Sequence, residues 1–211
     1  TNTVSINYKA LKQISTDLIG KKAKLLIVTK TRSQDDILEL IKSGYINFAE
    51  NRVQEAYSKY SKINLQNKIN LSLIGPLQSN KVKQALNLFD TIQSIDRNKI
   101  VDEIKKYEDF KTKTKNYYIQ INIGEEHQKT GVLPENFNEF YHYCLGKGLK
   151  ISGIMCIPPF NKDPRYFFEK MFEIRKNTND NLILSMGMSS DYKIALDFDS
   201  NEIRVGSLIF T

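Results

Sequence analysis

The sequence has no tryptophan, two histidines, two cysteines and five prolines. No apolar run approaches the roughly 18 residues that cross a bilayer, so no membrane association is expected. The two cysteines, Cys144 and Cys156, form no CxxC pair, which argues against a disulfide scaffold or redox motif and for reduced, buried thiols. His127 and His142 join no Cys or carboxylate cluster at ligand spacing, so no metal is expected. Residues 1–12 lack an apolar core followed by a small-residue cleavage site, and a cytoplasmic location is the expectation. Arginine is also scarce: six, against 25 lysines and 24 acids, for a net charge of +7. Arginine is the preferred fork for bases and phosphates. A lysine excess densest at residues 21–24 and 105–115 therefore reads as solvated surface, and no nucleic-acid partner is expected.

What remains is ordinary globular composition, 211 residues with 40% hydrophobic and 26% charged. That is enough chain for one domain, 1–211, to bury its own core. No linker or low-complexity tract divides it. A first helix is expected over 5–20, with Tyr8, Leu11, Ile14 and Leu18 on one face. Residues 23–29 are then almost continuously apolar, as in a strand buried on both faces. Further strands are expected over 46–48, 71–74, 91–95, 117–121, 151–156, 182–185 and 202–205. Helices are expected between them over 33–44, 52–63, 79–88, 97–107, 134–145, 164–177 and 190–196. Eight strands alternating with helices call for a parallel sheet, and an α/β fold consisting of a (β/α)₈ TIM-type barrel with an extra N-terminal helix is the expectation. An open, doubly wound sheet is the competing architecture.

Barrel chemistry sits at strand C-termini. Lys30 closes the first strand, where its stem is expected to pack while its amine faces the mouth; desolvation there favours the free amine that attacks carbonyls. The plain alternative is a lysine reaching out to solvent. After strands seven and eight come Ser185, Gly187 and Ser189, then Gly206 and Ser207. These are a candidate phosphate cradle or simply turn chemistry. Lysine and cradle together suit a phosphorylated carbonyl compound, and pyridoxal 5'-phosphate fits. Arg204 should point into the mouth; beside a pyridine nitrogen it would keep that nitrogen unprotonated and make the ring a poor electron sink. A structural ion pair is the alternative.

These residues resemble a family. The runs Leu26-Ile27-Val28-Thr29-Lys30-Thr31, Phe48-Ala49-Glu50-Asn51-Arg52-Val53-Gln54-Glu55 and Ile74-Gly75-Pro76-Leu77-Gln78-Ser79-Asn80-Lys81 are similar to the pyridoxal phosphate homeostasis proteins. So are Lys129-Thr130-Gly131, Ser185-Met186-Gly187-Met188-Ser189 and Arg204-Val205-Gly206-Ser207. The resemblance implies a barrel like the N-terminal domain of alanine racemase. It also implies pyridoxal phosphate on Lys30 as a Schiff base, Asn51 beside the ring, and Arg204 at the pyridine nitrogen. Ser185, Gly206 and Ser207 would hold the phosphate, with the Gly187 loop beside them, and Lys129 would lie in a mobile loop. Ala49, Ser72 and Asp199 depart from the family pattern, Ala49 and Asp199 where glycine is usual.

Related racemases add a tyrosine base from a separate C-terminal domain, and none of the eleven tyrosines here follows strand eight. The functional expectation is a monomeric carrier without robust catalysis that buffers pyridoxal phosphate and yields it to apo-enzymes. A weak amino-acid racemase and a class I aldolase-like barrel acting on a sugar phosphate are the alternatives.

Overall fold

The structure, a computed structural model, describes residues 5–211, without the side chains of residues 64 and 65. The strands β1 (Lys24–Val28), β2 (Asn47–Glu50), β3 (Asn70–Leu73) and β4 (Thr91–Ile95) form the first half of a ring. The second half is β5 (Asn116–Ile121), β6 (Ile151–Cys156), β7 (Ile183–Ser185) and β8 (Glu202–Val205). The ring closes in chain order, every pair parallel. Closure runs from Lys24 opposite Glu202 to Ile27 opposite Val205, which settles the architecture as a (β/α)₈ barrel rather than an open sheet.

Around the ring lie α1 (Tyr8–Asp17), α2 (Gln34–Lys42), α3 (Val53–Tyr60), α4 (Ile63–Gln66), α5 (Val82–Leu88), α6 (Asn98–Tyr107), α7 (Phe137–Gly146), α8 (Arg165–Thr178) and α9 (Tyr192–Asp197). Their apolar faces meet the outward residues of the strands. Ile37 and Leu40 of α2, for instance, are fully buried, as are Ile27 and Phe48. Each such side chain contributes about 2 kcal/mol. The inward residues form a different environment. Leu26, Val28, Ala49 and Ile74 make a small apolar cluster separate from the main core. Below and beside it the lumen is polar, with Gln93, Ser185, Glu202 and Arg204 all buried.

Element boundaries differ from expectation where tertiary contacts intervene. The first helix starts at Tyr8, because Ile6 is bridged to Phe210 and the Asn7 side chain accepts from Ala10 N at 3.0 Å as the N-cap. The second strand extends to Glu50, a buried carboxylate. The last helix starts at Tyr192, since the Asp191 side chain instead accepts from Met188 N at 2.7 Å. Asp199 has φ +63°, the left-handed region, which glycine adopts freely and Asp tolerates better than most side chains.

Candidate cofactor site at the barrel mouth

Lys30 follows β1 at the mouth, and its backbone is held tightly. Thr29 donates its hydroxyl to Glu50 and lies 2.6 Å from the Tyr60 hydroxyl. The buried Lys59 ammonium sits 2.7 Å from Glu50 Oε2 and 2.8 Å from Glu55 Oε2, and it donates to the Thr29 carbonyl at 2.5 Å. Glu55 in turn accepts from Thr31 N at 2.5 Å. Residues on both sides of Lys30 are thus pinned to charged groups on β2 and α3. Burial pushes the Glu50 carboxyl above its ordinary value, only partly offset by Lys59 and Thr29. Burial pushes Glu55 up as well, but Lys59, the Thr31 N–H and Arg52 outweigh it and its value falls below the ordinary one.

The packed stem expected for Lys30 is not what the fold provides. Thr31 turns left-handed at φ +63°, strained for a β-branched residue, and Lys30 is exposed on the rim. Its amine makes no hydrogen bond or ion pair among the described residues. The same clamp carries Asn51, whose Oδ1 is buried and has no partner among the described residues. Gly75, two residues beyond β3, is what lets that neighbourhood form: a Cβ there would lie 1.9 Å from the Asn51 carbonyl oxygen.

Arg204 is on the lumen side of β8, level with Leu26 of the neighbouring β1, and is buried. Its Nη1 donates to Ser185 Oγ at 2.8 Å and its Nη2 to the Cys156 carbonyl at 2.8 Å. A guanidinium carries five N–H donors, so three are unengaged among the described residues. Burial lowers the Arg204 value, while Cys156, Glu202 and Asp191 oppose that shift. The Cys156 thiol itself is pushed up to about 12 by burial, so it stays protonated.

Ser185, expected as a phosphate contact, is engaged within the protein on both sides. Its hydroxyl proton goes to Gln93 Oε1 at 2.7 Å and its oxygen accepts from Arg204, so it has no donor left for an anion. Gly187 is buried at φ +106°, and a Cβ there would meet Ala195 Cβ at 2.8 Å, so glycine is required for packing against α9. Gly206 packs on the strand that leads to Lys30: a Cβ would lie 2.9 Å from the Val28 carbonyl oxygen. Its carbonyl starts a turn by accepting from Ile209 N and Phe210 N, and Ser207 stands exposed in that turn. Lys129 pairs with Glu126 at 3.7 Å in the loop after β5, which Asp96 ties down by accepting from Gly131 N at 3.0 Å.

Two groups of residues escaped the sequence reading. One is the Glu50–Lys59–Glu55 clamp, whose members carry no local signal of burial. The other is the lumen set of Gln93 and Glu202, for which polar residues at inward positions of otherwise apolar strands were the available cue.

No protein-family model matches the chain. It is 36% identical over 197 residues to a pyridoxal phosphate homeostasis protein of Aquifex aeolicus, covering 89% of this chain and 86% of that one. The solved structure of PipY from Synechococcus elongatus with pyridoxal phosphate bound superposes with a TM-score of 0.81 at 26% identity, covering 96% and 99% of the two chains. Alanine racemase from Corynebacterium glutamicum shares the fold alone, with a TM-score of 0.68 at 14% identity over 98% of this chain and 62% of that one. A rim lysine clamped at the end of β1, an arginine buried in the lumen of β8 and a relative this similar over most of both lengths lead to one assignment: the chain belongs to the pyridoxal phosphate homeostasis protein family.

Proposed function

We propose that the chain holds pyridoxal 5'-phosphate reversibly, with Lys30 as the covalent anchor through a Schiff base, and buffers or supplies it without robust catalysis. One observation carries the reading. Lys30 and Arg204 follow or lie on the hydrogen-bonded neighbours β1 and β8, the one with an unengaged amine on the rim, the other with spare donors in the lumen. The buried, unpartnered Asn51 Oδ1 supports the fit, since such an atom is costly unless something pairs with it. When bound, the cofactor supplies an aldehyde that condenses with a primary amine, releasing water.

The residues divide the work. Lys30 holds the aldehyde carbon. Arg204 donates to the ring nitrogen and keeps it unprotonated, which makes the ring a poor electron sink. Asn51 lies beside the ring, and the turn of Gly206 and Ser207, with the loop of Gly187 and Ser189, receives the phosphate. Ser185 belongs to the support of Arg204. The exposure of Lys30 favours exchange, because an amine from solvent can reach the same carbon; it disfavours catalysis, because water is not excluded. Apo-enzymes that use the cofactor are the natural recipients.

Mixing the purified protein with pyridoxal phosphate should give a yellow imine band that Lys30→Ala abolishes. No band in the wild type, or an unchanged band in the variant, would end this reading.

A further inference from the structure

The lumen contains a hydrogen-bond chain whose direction is fixed at both ends. Glu202, its side chain 4% exposed, is an obligate acceptor when ionised, and Lys24 Nζ lies 3.4 Å away at the opposite end of the barrel from Lys30. Gln93 reaches from β4, across the ring from β8, and donates Nε2 to Glu202 Oε1 at 3.1 Å. Its Oε1 must then face the other way, where it accepts from Ser185 Oγ at 2.7 Å. With its proton spent, Ser185 can only accept from the next group, and that group is Arg204, an obligate donor, at 2.8 Å. A flipped Gln93 amide would set its oxygen against a carboxylate, two acceptors face to face. The four side chains are all buried, so little water is available to repair a break.

We propose that Gln93 and Glu202 are positioning residues for Arg204: through Ser185 they fix where the guanidinium points its free N–H groups and so set the protonation of the cofactor's ring nitrogen. The inference rests on the reading of Arg204 given above. The charged and titratable groups facing this assembly are Lys24 from β1, Tyr118 from β5, Cys156 from β6 and Asp191 ahead of α9. Tyr118 is held well above the ordinary tyrosine value by burial and by Glu202, and Cys156 stays a thiol, so neither changes charge in the neutral range.

The test is the absorbance of the loaded protein as a function of pH. Gln93→Met should keep the Lys30-dependent band but move its titration midpoint by about 0.5 pH unit or more, because the guanidinium is no longer held against the ring. It should also weaken cofactor binding by about tenfold, the equivalent of losing one buried charge-assisted hydrogen bond. Glu202→Gln, which is isosteric and keeps a hydrogen bond to Gln93, should shift the midpoint in the same sense by less. Leu86→Ala, a cavity variant in α5 whose side chain makes none of these hydrogen bonds, should lower the melting temperature without moving the midpoint. Midpoints equal to wild type in both lumen variants would overturn this inference while leaving the Lys30 reading intact. A wild type with no Lys30-dependent band would overturn both. If neither lumen variant folds, Ser185→Ala, which cuts the link between Gln93 and Arg204, is read in the same way: a moved midpoint is expected, and an unmoved one refutes the proposal.

Discussion

Lys59→Met tests the clamp beneath Lys30 with one substitution of similar length. It removes the cation 2.7 Å from the buried Glu50 carboxylate and the donor to the Thr29 carbonyl. Breaking a buried pair from one side typically costs about 3–5 kcal/mol, because the remaining charge is uncompensated. Here the cost has a ceiling, since Glu50 can escape it by taking up a proton. That escape costs about 1.4 kcal/mol for each pH unit above the ordinary glutamate value of 4.5. The ceiling is therefore about 4 kcal/mol at pH 7.5 and about 1.4 kcal/mol at pH 5.5. The lost hydrogen bond to Thr29 adds about 1 kcal/mol at either pH. Glu50 already has a raised folded value, and losing Lys59 raises it further. Such a group costs nothing below its unfolded value and costs progressively more as pH rises toward its folded value. The difference between variant and wild type should thus grow with pH. Urea denaturation at the two pH values is the assay. A loss independent of pH, or one below about 1 kcal/mol at pH 7.5, would refute the account of the clamp.

Other outcomes follow from the same geometry. Gly75→Ala would press a Cβ onto the Asn51 carbonyl oxygen, 1.9 Å away, with backbone on both sides; a loss of about 3 kcal/mol in urea unfolding is expected. Asp199→Val should cost about 1–2 kcal/mol, because a β-branched residue at φ +63° is strained, whereas Asp199→Gly should cost nothing. Cys144 and Cys156, both buried and both pushed up to about 12, should resist a thiol reagent at pH 8 until the protein unfolds; rapid native labelling would contradict their burial.

The strands were legible because burial on both faces leaves an apolar signature that needs no tertiary knowledge: Leu25 to Val28 read as strand on composition alone. Glu50 was not legible as strand, since a carboxylate looks like a stop, and the cation that allows its burial arrives from α3 nine residues later. Ser5 to Asn7 looked like a helix start, but their partners stand near Thr211, at the far end of the sequence. The rim lysine and the lumen arginine were found from their positions at strand ends. The exposure of Lys30 matches the solvent-reaching alternative rather than the packed stem, a choice that strand-end position alone does not make. Ser185 is read from its motif as an anion contact; its hydrogen bonds to Gln93 of β4 and Arg204 of β8 are ones no local pattern connects.

Closure of the ring also bears on how the protein meets other chains. A strand with an unpaired side is a template for another chain, and short β-rich segments such as those at β1 and β5 are the kind that stack into fibrils when left open. Here each of the eight strands has a neighbour on both flanks, so among the described residues the barrel offers no main-chain ladder to a second molecule. That protection is supplied by β8 returning to β1, and so by the fold itself rather than by anything held at the mouth.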